Sequence, residues 1–211
     1  PIRTFSIGFQ EKAYNEAPYA QHVAKHLKTE HTEFYLTVAD AMAVISELPA
    51  IYDEPFADAS QIPTILLSRL ARQQVAVALT GDGGDELFNG YDRYPKTDAT
   101  WKRLQKVPLF LRKLANRLLP PSPLQEGLGA LSIDSFYSFT NRQWKGFSNL
   151  VYGIEDEEIT VNIPSVLKSA HERMMYADTS VYLPDDVLVK VDRAAMSCSL
   201  EMRIPLLDHR I

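Results

Sequence analysis

An α/β layered architecture is predicted by three observations. Short β-prone segments occupy residues 2–9, 33–38 and 75–79, helical periodicity fills the intervals between them, and the last segment is apolar without alternation. A strand with no polar face belongs in a sheet covered on both sides, and the helix-linked order points to parallel pairing. With 45% hydrophobic and 23% charged residues, the 211-residue chain has the composition of a globular core. One domain, or two tightly packed subdomains, suits that length.

The elements follow in order. Residues 2–9 form a buried strand that reaches Gly8 and then a polar loop. Asn15 caps a helix over residues 16–28, whose Ala20, Val23, Ala24 and Leu27 share one face, with Lys25 and Lys28 at the favourable C-terminal end. A strand at 33–38, a helix at 39–51, a loop at 53–60 and a helix at 62–73 come next; Leu66, Leu67 and Leu70 of the last point inward. Residues 75–79 close this part as a strand. After Tyr94 the character changes: helical spacing runs over 97–118, prolines interrupt it between 120 and 123, and no strand is expected from there to the end. The aromatic residues between 133 and 147 read as packing surface rather than a platform for stacked bases.

Net charge of −5 gives no general basic field, so nucleic acid is not expected as a partner. The single cysteine, Cys198, excludes an internal disulfide, and no apolar run is long enough to span a bilayer as a helix, so no membrane partner is expected. A chain that opens at Pro1 on a strand and stops at Arg210-Ile211 is expected to be part of a longer one.

Thr80-Gly81-Asp82-Gly83-Gly84-Asp85-Glu86 follows directly on the third strand, at the strand end where open parallel sheets bind ligands. The glycines permit unusual backbone angles and bring peptide N–H groups close to an anion. Three carboxylates with no Lys or Arg between Thr80 and Asp92 would repel a bare phosphate, and a divalent cation resolves that conflict. The mixture fits a nucleotide with Mg2+. It fits equally a plain turn with Asp85 or Glu86 opening the next helix. Neither a Gly-Lys-Ser/Thr loop nor a Gly-x-Gly-x-x-Gly fingerprint occurs.

Four segments together shift the balance: Thr4-Phe5-Ser6-Ile7-Gly8-Phe9, Asp53-Glu54-Pro55-Phe56-Ala57-Asp58-Ala59-Ser60, Thr80 through Tyr94, and Tyr182 through His209. Their order resembles the asparagine synthetase family, the glutamine-hydrolysing enzymes of the ATP pyrophosphatase superfamily. Thr-Gly-Asp-Gly-Gly-Asp-Glu-Leu-Phe-Asn-Gly-Tyr and Tyr-Leu-Pro-Asp-Asp-Val-Leu-Val-Lys-Val-Asp-Arg are the most specific parts, and the match is weakest over residues 96–175.

The resemblance implies an adenine nucleotide alpha hydrolase-like (Rossmann-like) core in residues 1–94, truncated at its N-terminus, and a mostly helical remainder of the same synthetase domain in 95–211. It implies a cytoplasmic ligase that uses ATP and Mg2+ to adenylate the β-carboxylate of aspartate, after which ammonia from glutamine displaces AMP. By position, Ile7 and Gly8 resemble the adenine and ribose wall; Thr80, Gly81 and Asp82 the nucleotide contact; Asp85 the Mg2+ and pyrophosphate ligand. Glu86 and Tyr91 resemble residues that face the intermediate and handle the proton as ammonia attacks. Asp186 resembles the group that holds the substrate's ammonium. A Ser-Gly-Gly-x-Asp-Ser phosphate loop is expected shortly upstream of Pro1, a lysine-bearing loop beyond Ile211, and a glutaminase domain before both, so the fragment alone is expected to be inactive. A homodimer is compatible with this reading. Asn15 and Ala195 depart from the family's usual aspartate and serine, away from the chemistry. Two other readings share the motifs: an ATP-dependent amide or β-lactam ligase, and a synthetase-like module that binds nucleotide without turnover.

Several residues have plainer explanations. Asp186 and Lys190 have i,i+4 spacing and can pair on a helix face, while Glu201 and Arg203 divide between structure and site. His22 and His26 have a spacing that suits zinc, but without a third ligand a solvated face is expected. Cys198 is expected to be packed and unreactive, and His31 to make a structural hydrogen bond.

Overall fold

The strands β1 (Arg3–Phe9) and β2 (Glu30–Leu36) pair in parallel, from Arg3 opposite Glu30 to Phe9 opposite Leu36. They belong to a computed structural model that describes residues 1–10, 15–119, 127–141 and 161–210. Between them runs α1 (Ala17–Leu27), as the apolar spacing requires. The N-cap position is Glu16 rather than the expected Asn15, whose Oδ1 accepts from Ala17 N at 3.2 Å from one residue further out, and Lys28 ends the helix in the left-handed conformation. On one face of the pair His31 contacts Thr4 Oγ1 at 2.9 Å and Ser6 Oγ at 3.1 Å, which is the expected structural role of that histidine.

The helix expected over residues 39–51 is two. α2 (Val38–Ile45) starts at a capping box in which Thr37 and Asp40 exchange hydrogen bonds, and α3 (Leu48–Tyr52) carries Pro49 in its first turn. Proline has no N–H to donate, so a fresh helix start accommodates it better than a helix interior. α4 (Gln61–Arg72) leads to β3 (Val77–Leu79). Later come α5 (Gly84–Phe88), α6 (Arg93–Leu104), α7 (Leu109–Leu118), α8 (Ile133–Asn141) and α9 (Ala170–Ala177). A π-helix (Asp178–Val187) then passes into α10 (Leu188–Met196). Pro108 separates α6 from α7, where a continuous helix over 97–118 was expected.

The α/β class and the parallel pairing agree with the sequence, but the pairing is confined to two two-stranded sheets, β1-β2 and β3-β4. The second includes an element the sequence did not predict, β4 (Glu201–Arg203), whose short alternating run gives no strand signal by itself. Its partner β3 is shorter than expected and not buried on both faces: Val77 is 41% and Leu79 73% exposed. Only its Ala78 turns toward the cluster of Ala71, Ala195 and Leu200, which Phe5 and Met202 also join. Cys198 packs there too, its Sγ 3.2 Å from Ala195 O.

Packing divides the chain into two compact units, Pro1–Gly83 with Pro184–Ile211, and Gly84–Leu183. The first is centred on Val44, Tyr52, Ile65 and Ala194, beneath Phe56. The second has Tyr94, Tyr137 and Met174 in one cluster and Trp101, Ala130 and Phe136 in another. Phe136, Tyr137 and Phe139 place the expected aromatic packing in α8; Trp144 and Phe147 lie outside the described residues. Among the described residues, no helix is long and apolar enough to cross a membrane.

Candidate active site

In the first unit, Ile7 is half-buried and Gly8 buried near the C-terminal end of β1. A Cβ on Gly8 would lie 2.7 Å from Tyr35 Cε1 and 3.1 Å from Ala17 Cβ, so the close approach of α1 and β2 explains this glycine. Directly after β3, Thr80 N donates to Arg203 O at 3.0 Å and Thr80 Oγ1 donates to Asp82 Oδ2 at 2.5 Å. That bond orients Asp82 back along its own turn. Around Gly81 an added Cβ meets nothing within 4 Å, so its peptide is open to approach. Gly83 has φ 83°, the left-handed region that favours glycine.

Asp186 is half-buried in the last turn of the π-helix. Burial first, then the charges of Asp58 and Asp186, push the Tyr52 phenol up to about 12. The i,i+4 spacing of Asp186 and Lys190 did not reveal where the lysine goes, because Asp186 precedes the start of α10. Lys190 Nζ donates to Asp58 Oδ2 at 2.6 Å and Ser60 Oγ at 2.7 Å. On the same helix Arg193 donates to Asp53 at 2.8 Å and to Tyr52 O at 3.1 Å. The loop of residues 53–60 is thus held to α10 by two cations. Glu201 and Arg203 pair with each other on β4 at 2.8 Å.

In the second unit, Asp85 and Glu86 occupy the first turn of α5, where carboxylates favour the helix dipole. Their environments differ: Asp85 is exposed, whereas Glu86 is only 1% exposed. Tyr91 Oη donates to Glu86 Oε1 at 2.6 Å, so the buried carboxylate has a partner from the loop after α5. Burial, then the hydrogen bond to Glu86 and its charge, hold the Tyr91 phenol far above its ordinary range. The return of the loop is tight. Asn89 has φ 61°, Gly90 N donates to Asp85 O at 2.9 Å, and a Cβ on Gly90 would stand 2.9 Å from Asp85 Cα.

Sequence reasoning missed the surroundings of this pair. Arg93 places its guanidinium 4.0 Å from the Tyr91 ring centre and 4.6 Å from that of Tyr182, and donates to Asp178 Oδ2 at 2.6 Å. The same oxygen accepts from Tyr94 at 2.8 Å and from Tyr137 at 2.6 Å. The run Tyr91-Asp92-Arg93-Tyr94 held a signal, a cation among aromatics, but nothing in it pointed to Asp178. Burial opposes the charge on Arg93, yet the Tyr137 and Asp178 oxygens beside it outweigh burial and raise its affinity for the proton.

A buried carboxylate that accepts from a phenol can hold or relay a proton, and an exposed carboxylate on a helix's first turn can meet a hard cation. Of the expected residues, the structure brings Glu86 to Tyr91 and Thr80 to Asp82.

The chain is similar along almost its whole length to proteins named asparagine synthetase [glutamine-hydrolyzing]. That of Bacillus subtilis numbered 1 is 29% identical, with 98% of this chain and 35% of that protein aligned. A putative one from Mycobacterium bovis is 29% identical over 99% of this chain and 34% of that protein. A putative one from Methanocaldococcus jannaschii, numbered 2, is 39% identical over 62% of this chain and 24% of that protein. The chain spans about a third of the length of the first two relatives. The profile of the family described as Asparagine synthase matches residues 1–211, the whole chain, and the chain belongs to that family.

Proposed function

We propose that this chain is the central part of an ATP-dependent synthetase domain that makes asparagine from aspartate, with a Rossmann-like nucleotide-binding core in residues 1–94 and a helical remainder in 95–211. The observation that carries the reading is the buried Glu86 with Tyr91 donating to it at 2.6 Å, directly after a glycine-rich turn, in a member of this family. In the proposed reaction a β-carboxylate oxygen of aspartate bonds to the α-phosphorus of ATP and pyrophosphate leaves. Ammonia nitrogen then bonds to the acyl carbon, AMP leaves, and the nitrogen gives up a proton. In the full-length protein the ammonia derives from glutamine.

Each proposed role has a physical basis. Ile7 and Gly8 line one wall for the nucleotide, and the open peptide at Gly81, with Thr80 and Asp82, contacts it. The exposed Asp85 supplies the oxygen donor that Mg2+ prefers. When bound, that ion offsets charge on the departing pyrophosphate. Asp186 offers a carboxylate to the substrate's ammonium. Tyr91 passes its phenolic proton to Glu86 as its oxygen takes one from nitrogen, a relay that leaves neither an isolated phenolate nor an unpaired buried charge. Chemistry of this kind belongs in the cytoplasm, where ATP and aspartate are held.

The test uses the full-length protein with ATP, Mg2+ and aspartate, first with glutamine and then with ammonia. Asparagine formed together with equal AMP, and lost about a hundredfold or more in Glu86→Gln, is the expected result. AMP formed only with a different carboxylate would identify a related amide ligase, and nucleotide binding without turnover a non-catalytic module.

A further inference from the structure

We infer that Arg93, anchored by Asp178, is a positioning residue that orients the Tyr91 ring so that its hydroxyl reaches Glu86. The inference rests on the reading of Glu86 and Tyr91 as the proton-handling pair and extends it to groups that touch no reacting atom.

Tyr91 belongs to the connection between α5 and α6, and the one described hydrogen bond of its side chain fixes only the tip. The ring needs a second constraint, since rotation about its side-chain bonds would carry the hydroxyl away from a carboxylate that is itself buried. The Arg93 guanidinium supplies it from the start of α6, 4.0 Å over the ring centre. A planar cation on an aromatic face restrains the ring's tilt as well as its distance.

Arg93 is fixed in turn. One oxygen of Asp178 accepts from Arg93, Tyr94 and Tyr137, which belong to α6 and α8, while Asp178 itself begins the π-helix. Asp178 is 6%, Tyr94 0% and Tyr137 4% exposed, so the anchor lies in the core of its unit. Tyr182, one π-helical turn beyond Asp178, receives the same guanidinium at 4.6 Å and meets the Tyr91 ring edge-on with centres 6.1 Å apart. Arg93 Nε is buried without a hydrogen-bond partner, so this end of the fork is spent on the ring faces rather than on another polar group. A salt bridge needed only for packing would not require that arrangement. Electrostatics agree: the charge of Arg93 lowers the pKa of Tyr91 against burial and Glu86, which raise it, and so makes the phenol a readier proton donor.

The experiment uses the full-length protein and separates two steps: ATP–pyrophosphate exchange in the presence of aspartate, and asparagine formation with ammonia. Arg93→Ala is expected to slow asparagine formation about 10- to 30-fold, with exchange and the KM for ATP retained. Arg93→Lys, which keeps the charge without the planar fork, should fall between Arg93→Ala and the parent and serves where the alanine variant does not fold. If Arg93 acts through Tyr91, then Arg93→Ala with Tyr91→Phe is no slower than Tyr91→Phe alone. Effects that multiply in the double variant, or equal losses of exchange and asparagine formation in both Arg93 variants, would overturn the positioning role. An unimpaired Arg93→Ala beside an impaired Tyr91→Phe overturns it too, and leaves the Glu86–Tyr91 pair intact. Wild-type rates in both Tyr91→Phe and Glu86→Gln would instead remove the pair, and the inference with it.

Discussion

Lys190 donates to Asp58 across 132 positions of sequence, 2.6 Å from nitrogen to oxygen, with 11% and 13% of the two side chains exposed. Ser60 adds its own N–H and hydroxyl to Asp58, each at 2.7 Å. Burial pushes the Asp58 carboxyl up, but the bonds from Lys190 and Ser60 outweigh it and hold the group below its ordinary value of 3.8. A depressed carboxyl contributes stability that is complete above its unfolded pKa and disappears as pH falls through the folded one. Urea unfolding of the parent is therefore expected to weaken below about pH 4. Asp58→Asn should show a shallower acid slope. Lys190→Met, which strands the carboxylate, should cost about 3 kcal/mol at neutral pH, while Asp58→Asn with Lys190→Met recovers part of that loss.

Two glycines give contrasting expectations. At Gly90 a Cβ would run first into Asp85 Oδ1 and then into its backbone, Cα at 2.9 Å, so Gly90→Ala must displace the Asp85 carboxylate and move the first turn of α5. A loss of about 2 kcal/mol is expected by chemical denaturation and, on the proposed role of Asp85, a raised Mg2+ requirement of the full-length protein. At Gly8 the nearest atoms belong to the Tyr35 ring, and Tyr35 is 47% exposed and held by only a 3.4 Å bond to Glu33, with Ala17 Cβ next at 3.1 Å. Gly8→Ala should cost about 1 kcal/mol and, on the proposed role of Gly8, act mainly on the KM for ATP.

Alkaline titration followed at the tyrosinate absorbance band should show four tyrosines that ionise late. Tyr52 ionises at about 12, and Tyr91, Tyr94 and Tyr137 are held still higher by burial and by carboxylate partners. For a phenol with a raised folded pKa, stability is complete below its unfolded pKa near 10 and is lost as pH rises above that value. Unfolding above pH 10 should accordingly release a late, cooperative group of tyrosinates. Tyr52→Phe, whose hydroxyl makes only a 3.4 Å bond to Lys190 O, should shrink that group by one at little cost in stability.

Asp178→Asn retains an acceptor oxygen but removes the charge that answers Arg93. It should destabilise the protein by about 2 kcal/mol in thermal or urea unfolding, because the half-buried Arg93 cation is left without its counterion.

Helix spacing and the turn after β3 were legible in the sequence because local rules govern them. The 3.6-residue period marked α1 and α4, and a run of glycines with carboxylates marked residues 80–86. Breaks at Pro49 and Pro108 were overlooked where the apolar period continued across them. The partner of β3 was invisible, since Glu201–Arg203 is three residues long and its pairing is decided by distant packing. Glu86 and Tyr91 stand out through their motif, and the structure joins them by a hydrogen bond. Asp178 does not stand out, because a buried acid that collects three donors from separate elements leaves no periodic trace.

The discontinuity of the first unit bears on the order in which the protein matures. Tyr52 and Ile65 share a cluster with Ala194, and Phe5 one with Leu200, so neither cluster closes until the polypeptide has been made nearly to its last described residue. Synthesis of the intervening stretch, Gly84–Leu183, occupies about 5 to 20 seconds at ribosomal speed. Throughout that interval β1, β2 and α4 wait with their apolar faces uncovered, while Gly84–Leu183, continuous in sequence, is able to condense first. Substitutions in α10 should then raise chaperone demand during translation as well as lower final stability.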